Sequence, residues 1–178
     1  ENPAEFYMPA TDAATGRAAY FSKYDIVRDD YRAVMASCAL PGFCRPVKVG
    51  DRYYYDGGVA DSIPLHHAIE HGCTKMVVIL SNPRDFVKKP EAHRPLYKHM
   101  LHKYPKTIQS IDNRHINYQA SIDLACRLEK EGYVFIFAPS RHMPLSTFSK
   151  DAALEQDLYD LGVADYEARA EELKHFLN

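Results

Sequence analysis

No apolar run in these 178 residues approaches the ~18 that a membrane-spanning helix requires, so nothing reads as a span. No block of one charge occurs either. Acidic and basic residues are interspersed, and the net charge of −2 leaves no electrostatic case for nucleic acid. The four cysteines, Cys38, Cys44, Cys73 and Cys126, form no C-x-x-C pair, which argues against a zinc knuckle or a redox motif. Scattered thiols in a chain this long fit a reduced, cytoplasmic protein better than a disulfide scaffold. Internal repeats and low-complexity segments are also missing. The chain opens on Glu1 rather than methionine, so the lack of a signal peptide carries no information, and a longer parent is the expectation.

What remains is an ordinary globular composition, 46% apolar and 26% charged, in a length that suits one domain. Residues 5–8 and 18–22 read as strands around a run of turn formers, Thr11 to Gly16. Residues 28–38 read as a helix, with Tyr31, Val34, Met35 and Cys38 at helical spacing and Asp29 and Asp30 in its first turn. Val47–Val49 and Tyr53–Tyr55 flank Gly50-Asp51-Arg52, a hairpin signal. Strand alternation places Tyr54 on the face opposite Tyr53 and Tyr55.

Further on, Pro64 and Gly72 bracket a short helix, and Met76 to Leu80 reads as a buried parallel strand. A polar loop covers residues 81–95, and a short helix covers 96–103. The longest helix is expected over 107–131, with Ile111, Tyr118, Ile122 and Ala125 on one face, followed by a strand at 133–138. Two helices should close the chain, the first stopping at Gly162. Strands separated by helices argue for an α/β layer fold, and two central strands alone make a thin sheet. Further central strands are therefore expected, from the N-terminal segment or from sequence outside this chain.

The stretch that carries chemistry is Ala33 to Leu65. It holds Ser37-Cys38-Ala39-Leu40-Pro41-Gly42, then Pro46-Val47 and the hairpin, then Asp56-Gly57-Gly58, then Ile63-Pro64. Asp56 directly follows a strand, so a rigid element positions its carboxylate. Two glycines without Cβ atoms let backbone or substrate come close. A carboxylate fixed in this way can take a proton from a hydroxyl.

This ordered series resembles the patatin-like phospholipase family. A lone Asp-Gly-Gly is only a turn, whereas the series in order is specific. Thr11-Asp12 with Gly16, and Tyr20-Phe21, are similar to the family's upstream strand pair, and the tail from Leu158 is similar to a bacterial branch of it. The resemblance implies an α/β fold, a truncated patatin-like three-layer domain in which helices flank a sheet, with C-terminal helices. It implies that residues 1–178 are the C-terminal part of such a domain and that residues 82–178 are a family-variable extension.

It also implies hydrolysis of a lipid acyl ester by a Ser–Asp dyad, with Asp56 as general base and Gly57 and Gly58 as motif backbone. No cofactor or metal is implied. The expected partners are the lipid or acyl ester substrate, a transient membrane surface, and either a second copy of the chain or a missing N-terminal fragment, with no nucleic acid.

Two features depart from that picture. No G-x-S-x-G elbow and no Gly-rich oxyanion loop occur here, so nucleophile and oxyanion donors are expected upstream, and this chain alone should be inactive. Ser37 belongs to the Ser-x-Ala segment and is read as a wall residue. A non-catalytic binding or regulatory domain of the same fold is the alternative. His67-x-x-Glu70-His71 also fits an inverted zinc-hydrolase pattern, but its helix spans only about two turns. His71 beside Gly72 has a simpler role at a helix C-terminus. His93, His99 and His102 read as surface histidines, and the thirteen tyrosines as core and interface packing.

Overall fold

A computed structural model describes residues 3–144 and 150–178 as a mixed α/β chain. Two compact units divide it. The first comprises residues 1–64 and 88–121, the second residues 65–87 and 122–178.

The first unit is built on an antiparallel sheet of β1 (Tyr7–Asp12), β2 (Ala18–Ser22), β3 (Val47–Val49) and β4 (Arg52–Asp56), in the order β2-β1-β4-β3. The β3–β4 hairpin forms where the sequence predicts it, with Val49 opposite Arg52 and Gly50 in the left-handed region at φ 59°. β1 differs from expectation. It runs through Thr11 and Asp12, which look like turn residues, because Ala10, Thr11 and Asp12 pair with Asp56, Tyr55 and Tyr54. The reversal starts only after Asp12, whose carboxylate accepts from the amides of Ala14 and Thr15.

Tyrosine alternation on β4 divides its packing. Tyr54 meets Phe21 edge-on at 5.0 Å, beside Ala10, Ala33 and Ala36. Tyr55 packs in a separate cluster with Val59, Leu101, Ile108 and Ile111, and meets Tyr104 at 5.8 Å. Tyr53 is 45% exposed. Burial pushes the Tyr55 phenol up to about 12, and the neighbouring Tyr104 adds to this.

Helix α1 is shorter than the periodicity suggests, Arg32–Ser37. Asp29 sits in the left-handed region at φ 66°, and Asp30 pairs with Val27, so the chain is a turn there rather than a helical first turn. Helix α2, Leu65–Glu70, belongs to the second unit and lies where it is expected. Helix α3, Arg94–Met100, starts two residues early, with Pro95 inside its first turn, where a missing N–H costs nothing. Helix α4, Pro105–Lys130, gives its residues up to Ser121 to the first unit and the rest to the second. Of its expected apolar face, Ile111, Ile122 and Ala125 are buried.

In the second unit β5 (Met76–Ile79) and β6 (Val134–Phe137) pair in parallel, Met76 with Val134 through Ile79 with Phe137. The expected burial of β5 is only half correct. Met76 and Val78 are buried, whereas Val77 and Ile79 are 40% and 80% exposed. Nor do the N-terminal strands widen this sheet. They form the separate antiparallel one, and among the described residues β5 and β6 stand as a pair.

The two expected C-terminal helices are one, α5, Ala152–Leu177. Leu154, Leu158, Leu161, Asp165, Arg169, Ala170, Leu173 and Phe176 are its half-buried positions, a helical period that passes Gly162 without interruption while Gly162 itself faces outward. A mid-helix glycine costs only about 1 kcal/mol, less than this continuous face supplies. Asp151 caps α5 through the amides of Ala153 and Leu154. Phe176 and Tyr166 pack on Phe135 and Phe137, and the Arg169 guanidinium lies 4.3 Å above the Phe135 ring. At 26 residues α5 equals α4, so α4 is not the single longest helix. Among the described residues no helix is long and apolar enough to cross a membrane.

Candidate active site

Asp56 is the last residue of β4 and the cap of a 3₁₀ turn, Gly57–Val59. Three main-chain anchors fix it. Its N–H donates to the Ala39 carbonyl at 2.9 Å, its carbonyl accepts from Thr11 Oγ1 at 2.7 Å, and β1 pairs with it through Ala10. Its carboxylate folds back over the turn, and Oδ1 accepts the Gly58 N–H at 2.8 Å. Among the described residues Oδ2 has no hydrogen-bond partner, and the residue is half-buried. One oxygen is thus held by the turn, and the other keeps its lone pairs free of protein donors among the described residues.

The two glycines answer to different constraints. A Cβ on Gly57 would lie 2.3 Å from the Pro9 carbonyl oxygen, so the turn can press against β1 only if residue 57 has no side chain. A Cβ on Gly58 would lie 3.0 Å from Asp56 Oδ1, crowding the held oxygen. Thr11, fully buried, bridges the turn. Its hydroxyl donates to the Asp56 carbonyl and accepts the Ala60 N–H at 3.2 Å.

Ser37 donates to the Pro9 carbonyl at 2.6 Å, the same oxygen against which Gly57 packs. Its hydroxyl therefore ties the end of α1 to β1 beneath the turn. Asp61, five residues after Asp56, accepts instead from the Tyr20 hydroxyl.

Asp12 is an anchor of a second kind. Its side chain is 6% exposed and takes the Arg52 guanidinium at 2.8 Å. Burial pushes its carboxyl up, but Arg52 and the Thr15 and Ala14 amides outweigh that and hold it below the usual range. It thereby joins the first reversal to the strand that ends at Asp56.

His67 and His71 lie one turn apart on α2, their rings 4.0 Å between centroids. His71 Nδ1 is within 2.8 Å of the His67 carbonyl, the helix-end role expected of it. Glu70 does not complete a cluster with them. Among the described residues no three His, Cys, Asp or Glu side chains come together as a metal-holding group. Among the described residues the zinc pattern thus brings two imidazoles together without a third ligand.

Thr11 and Arg114 are the site residues that sequence reasoning missed. Arg114 Nε donates to the Gly58 carbonyl at 2.7 Å from α4. Thr11 is hidden by its turn-like neighbours, and Arg114 by its distance along the chain.

Comparison with known families divides the chain in two. Residues 104–178 match a domain of unknown function, DUF6363. No curated protein matches the chain. Residues 11–69 match the model of patatin-like phospholipases, and this segment contains the hairpin, the Asp56 turn and the start of α2. Over that stretch the chain is similar to patatin-like phospholipases.

Proposed function

We propose that the protein containing this chain hydrolyses acyl esters of lipids, with Asp56 as the general base of a Ser–Asp dyad. The observation that carries this is the Asp56 carboxylate itself. It is anchored at a strand end, with one oxygen held by the Gly58 amide and the other free of protein partners among the described residues. In the reaction the serine Oγ attacks the ester carbonyl carbon while its proton passes to Asp56. The tetrahedral oxyanion rests on backbone N–H donors. Collapse breaks the ester C–O bond, and the leaving alcohol takes the proton from Asp56. Water then attacks the acyl-serine by the same route and releases the fatty acid. The serine and the oxyanion donors come from sequence beyond this chain, so the chain alone lacks activity.

Turnover of a chromogenic ester by the complete protein tests this reading. Asp56→Asn keeps size but cannot take a proton, and should lower kcat by about 10²–10⁴-fold. Asp61→Asn, which can still accept from Tyr20, should have far less effect. Near-normal turnover in Asp56→Asn would reduce the Asp56 motif to an ordinary turn.

A further inference from the structure

Three polar residues on one face of α4, Thr107, Ser110 and Arg114, each donate to a main-chain carbonyl of the patatin-like segment. Thr107 Oγ1 reaches Ala13 at 2.8 Å, Ser110 Oγ reaches Gly16 at 2.7 Å, and Arg114 Nε reaches Gly58 at 2.7 Å. Their spacing of three and four residues is that of a single helical face. The fit is close. A Cβ on Gly16 would stand 2.4 Å from the Lys106 carbonyl oxygen. The helix lies in the segment that matches a domain of unknown function, whereas all three acceptors lie in the segment that matches patatin-like phospholipases.

Arg114 differs from the other two in what it holds. The Gly58 carbonyl takes both Arg114 Nε and the Ser62 hydroxyl, and the Gly58 amide is the donor to Asp56 Oδ1. Any rotation at residue 58 is therefore felt at the carboxylate. The guanidinium is itself fixed, with Nη1 on Glu91 Oε1 at 3.0 Å. Lys88 shares that Glu91 at 3.7 Å and lies 5.8 Å from the Tyr118 ring centroid, so the side chain is braced from two sides.

We infer that Arg114 is a positioning residue for the Asp56 base, so that the first helix of the domain of unknown function is a working part of the patatin-like site. The inference rests on Asp56 being the base. Arg114 touches no reacting atom. It fixes the residue whose amide fixes the carboxylate.

The test uses the complete protein with p-nitrophenyl butyrate, measuring kcat and KM separately. Arg114→Ala should lower kcat by up to about 10²-fold with KM near wild type, the scale of loss when a reacting group is misplaced by about 1 Å. Arg114→Lys, which keeps one donor for the Gly58 carbonyl, should recover most of that loss. Thr107→Val removes the equivalent bond to Ala13 and should lower the unfolding midpoint while leaving kcat unchanged. Wild-type kcat in Arg114→Ala overturns the inference, and so does an equal kcat loss in Thr107→Val, which would mark a general effect of stability. Should Arg114→Ala fail to fold, Glu91→Ala removes the acceptor of Nη1 while leaving the Nε bond to Gly58, and should still lower kcat at constant KM; unchanged kcat there also overturns it. Asp56→Asn measured alongside separates the two claims. Normal turnover in Asp56→Asn removes the base itself, whereas an inactive Asp56→Asn enzyme beside a fully active Arg114→Ala removes only the role of Arg114.

Discussion

The antiparallel sheet of the first unit and the parallel pair of the second are both made of short strands, yet their surroundings differ. In the first, β1 has a strand on each side, Tyr54 and Tyr55 of β4 are packed into different clusters, and side chains from α4 take the carbonyls of Ala13, Gly16 and Gly58. In the second, β5 and β6 pair only with each other among the described residues, and Val77 and Ile79 project from β5 with 40% and 80% of their surface exposed. A two-stranded sheet with unpaired edges and exposed apolar side chains is a template for further pairing. The difference shows where chemistry can be held. A carboxylate that must stay in one place belongs on the strand whose neighbours, faces and following turn are all fixed, and Asp56 is on that strand.

Substitutions on each side of this contrast should behave in opposite ways. The largest effect is expected at Gly57. Gly57→Ala places a Cβ 2.3 Å from the Pro9 carbonyl oxygen and should destabilise the first unit by about 3 kcal/mol. Chemical denaturation followed by peptide-resolved hydrogen exchange would show the loss in residues 1–64. A loss confined to the second unit would break the comparison.

Next comes Asp12→Asn, which removes the charge from the Arg52 pair and weakens the Ala14 and Thr15 bonds, at a cost of about 2 kcal/mol. Its pH dependence has a definite sign. The Asp12 carboxyl is lower in the folded than in the unfolded chain, so its stabilisation is present above the ordinary value near 3.8 and is lost as pH falls through the folded value. Stability of the wild-type first unit should therefore fall on acidification below about pH 4, and the Asn variant should show a shallower fall. Parallel acid curves would contradict the assignment.

Gly162→Ala reverses the direction seen at Gly57. Nothing lies within 4 Å of an added Cβ, and the residue is mid-helix, so the second unit should gain about 1 kcal/mol. The smallest effect on folding belongs to Ile79→Thr. At 80% exposure it should change stability by no more than about 0.5 kcal/mol. Sedimentation of the chain should nevertheless shift toward monomer, because the substitution makes an exposed apolar position of β5 polar. Unchanged association would show that this position does not mediate it.

What could be read from the residues follows the range of the forces involved. The β3–β4 hairpin and the Asp56 turn were legible because Gly50 and the Gly57–Gly58 pair state their backbone needs locally. The end of β1 was not, because Thr11 and Asp12 have turn-forming side chains, and only pairing with β4, some 45 residues away, makes them strand. Helix α1 starts late because Asp29 adopts a left-handed conformation that no periodicity signals. Gly162 looked like a stop, but the spacing of Leu158, Leu161 and Asp165 carries the helix through it. Arg114 was invisible because its meaning depends on a carbonyl 56 residues earlier.

Ester hydrolysis by a Ser–Asp dyad requires that the Asp56 carboxylate activate a serine. Phosphonylation of the complete protein by a fluorophosphonate ester reads that step directly, since the serine must lose its proton to react, whatever lipid the enzyme prefers. Asp56→Asn should slow phosphonylation by about 10²–10⁴-fold, with Asp61→Asn close to wild type. Equal rates in wild type and Asp56→Asn would contradict the claim that Asp56 is the base.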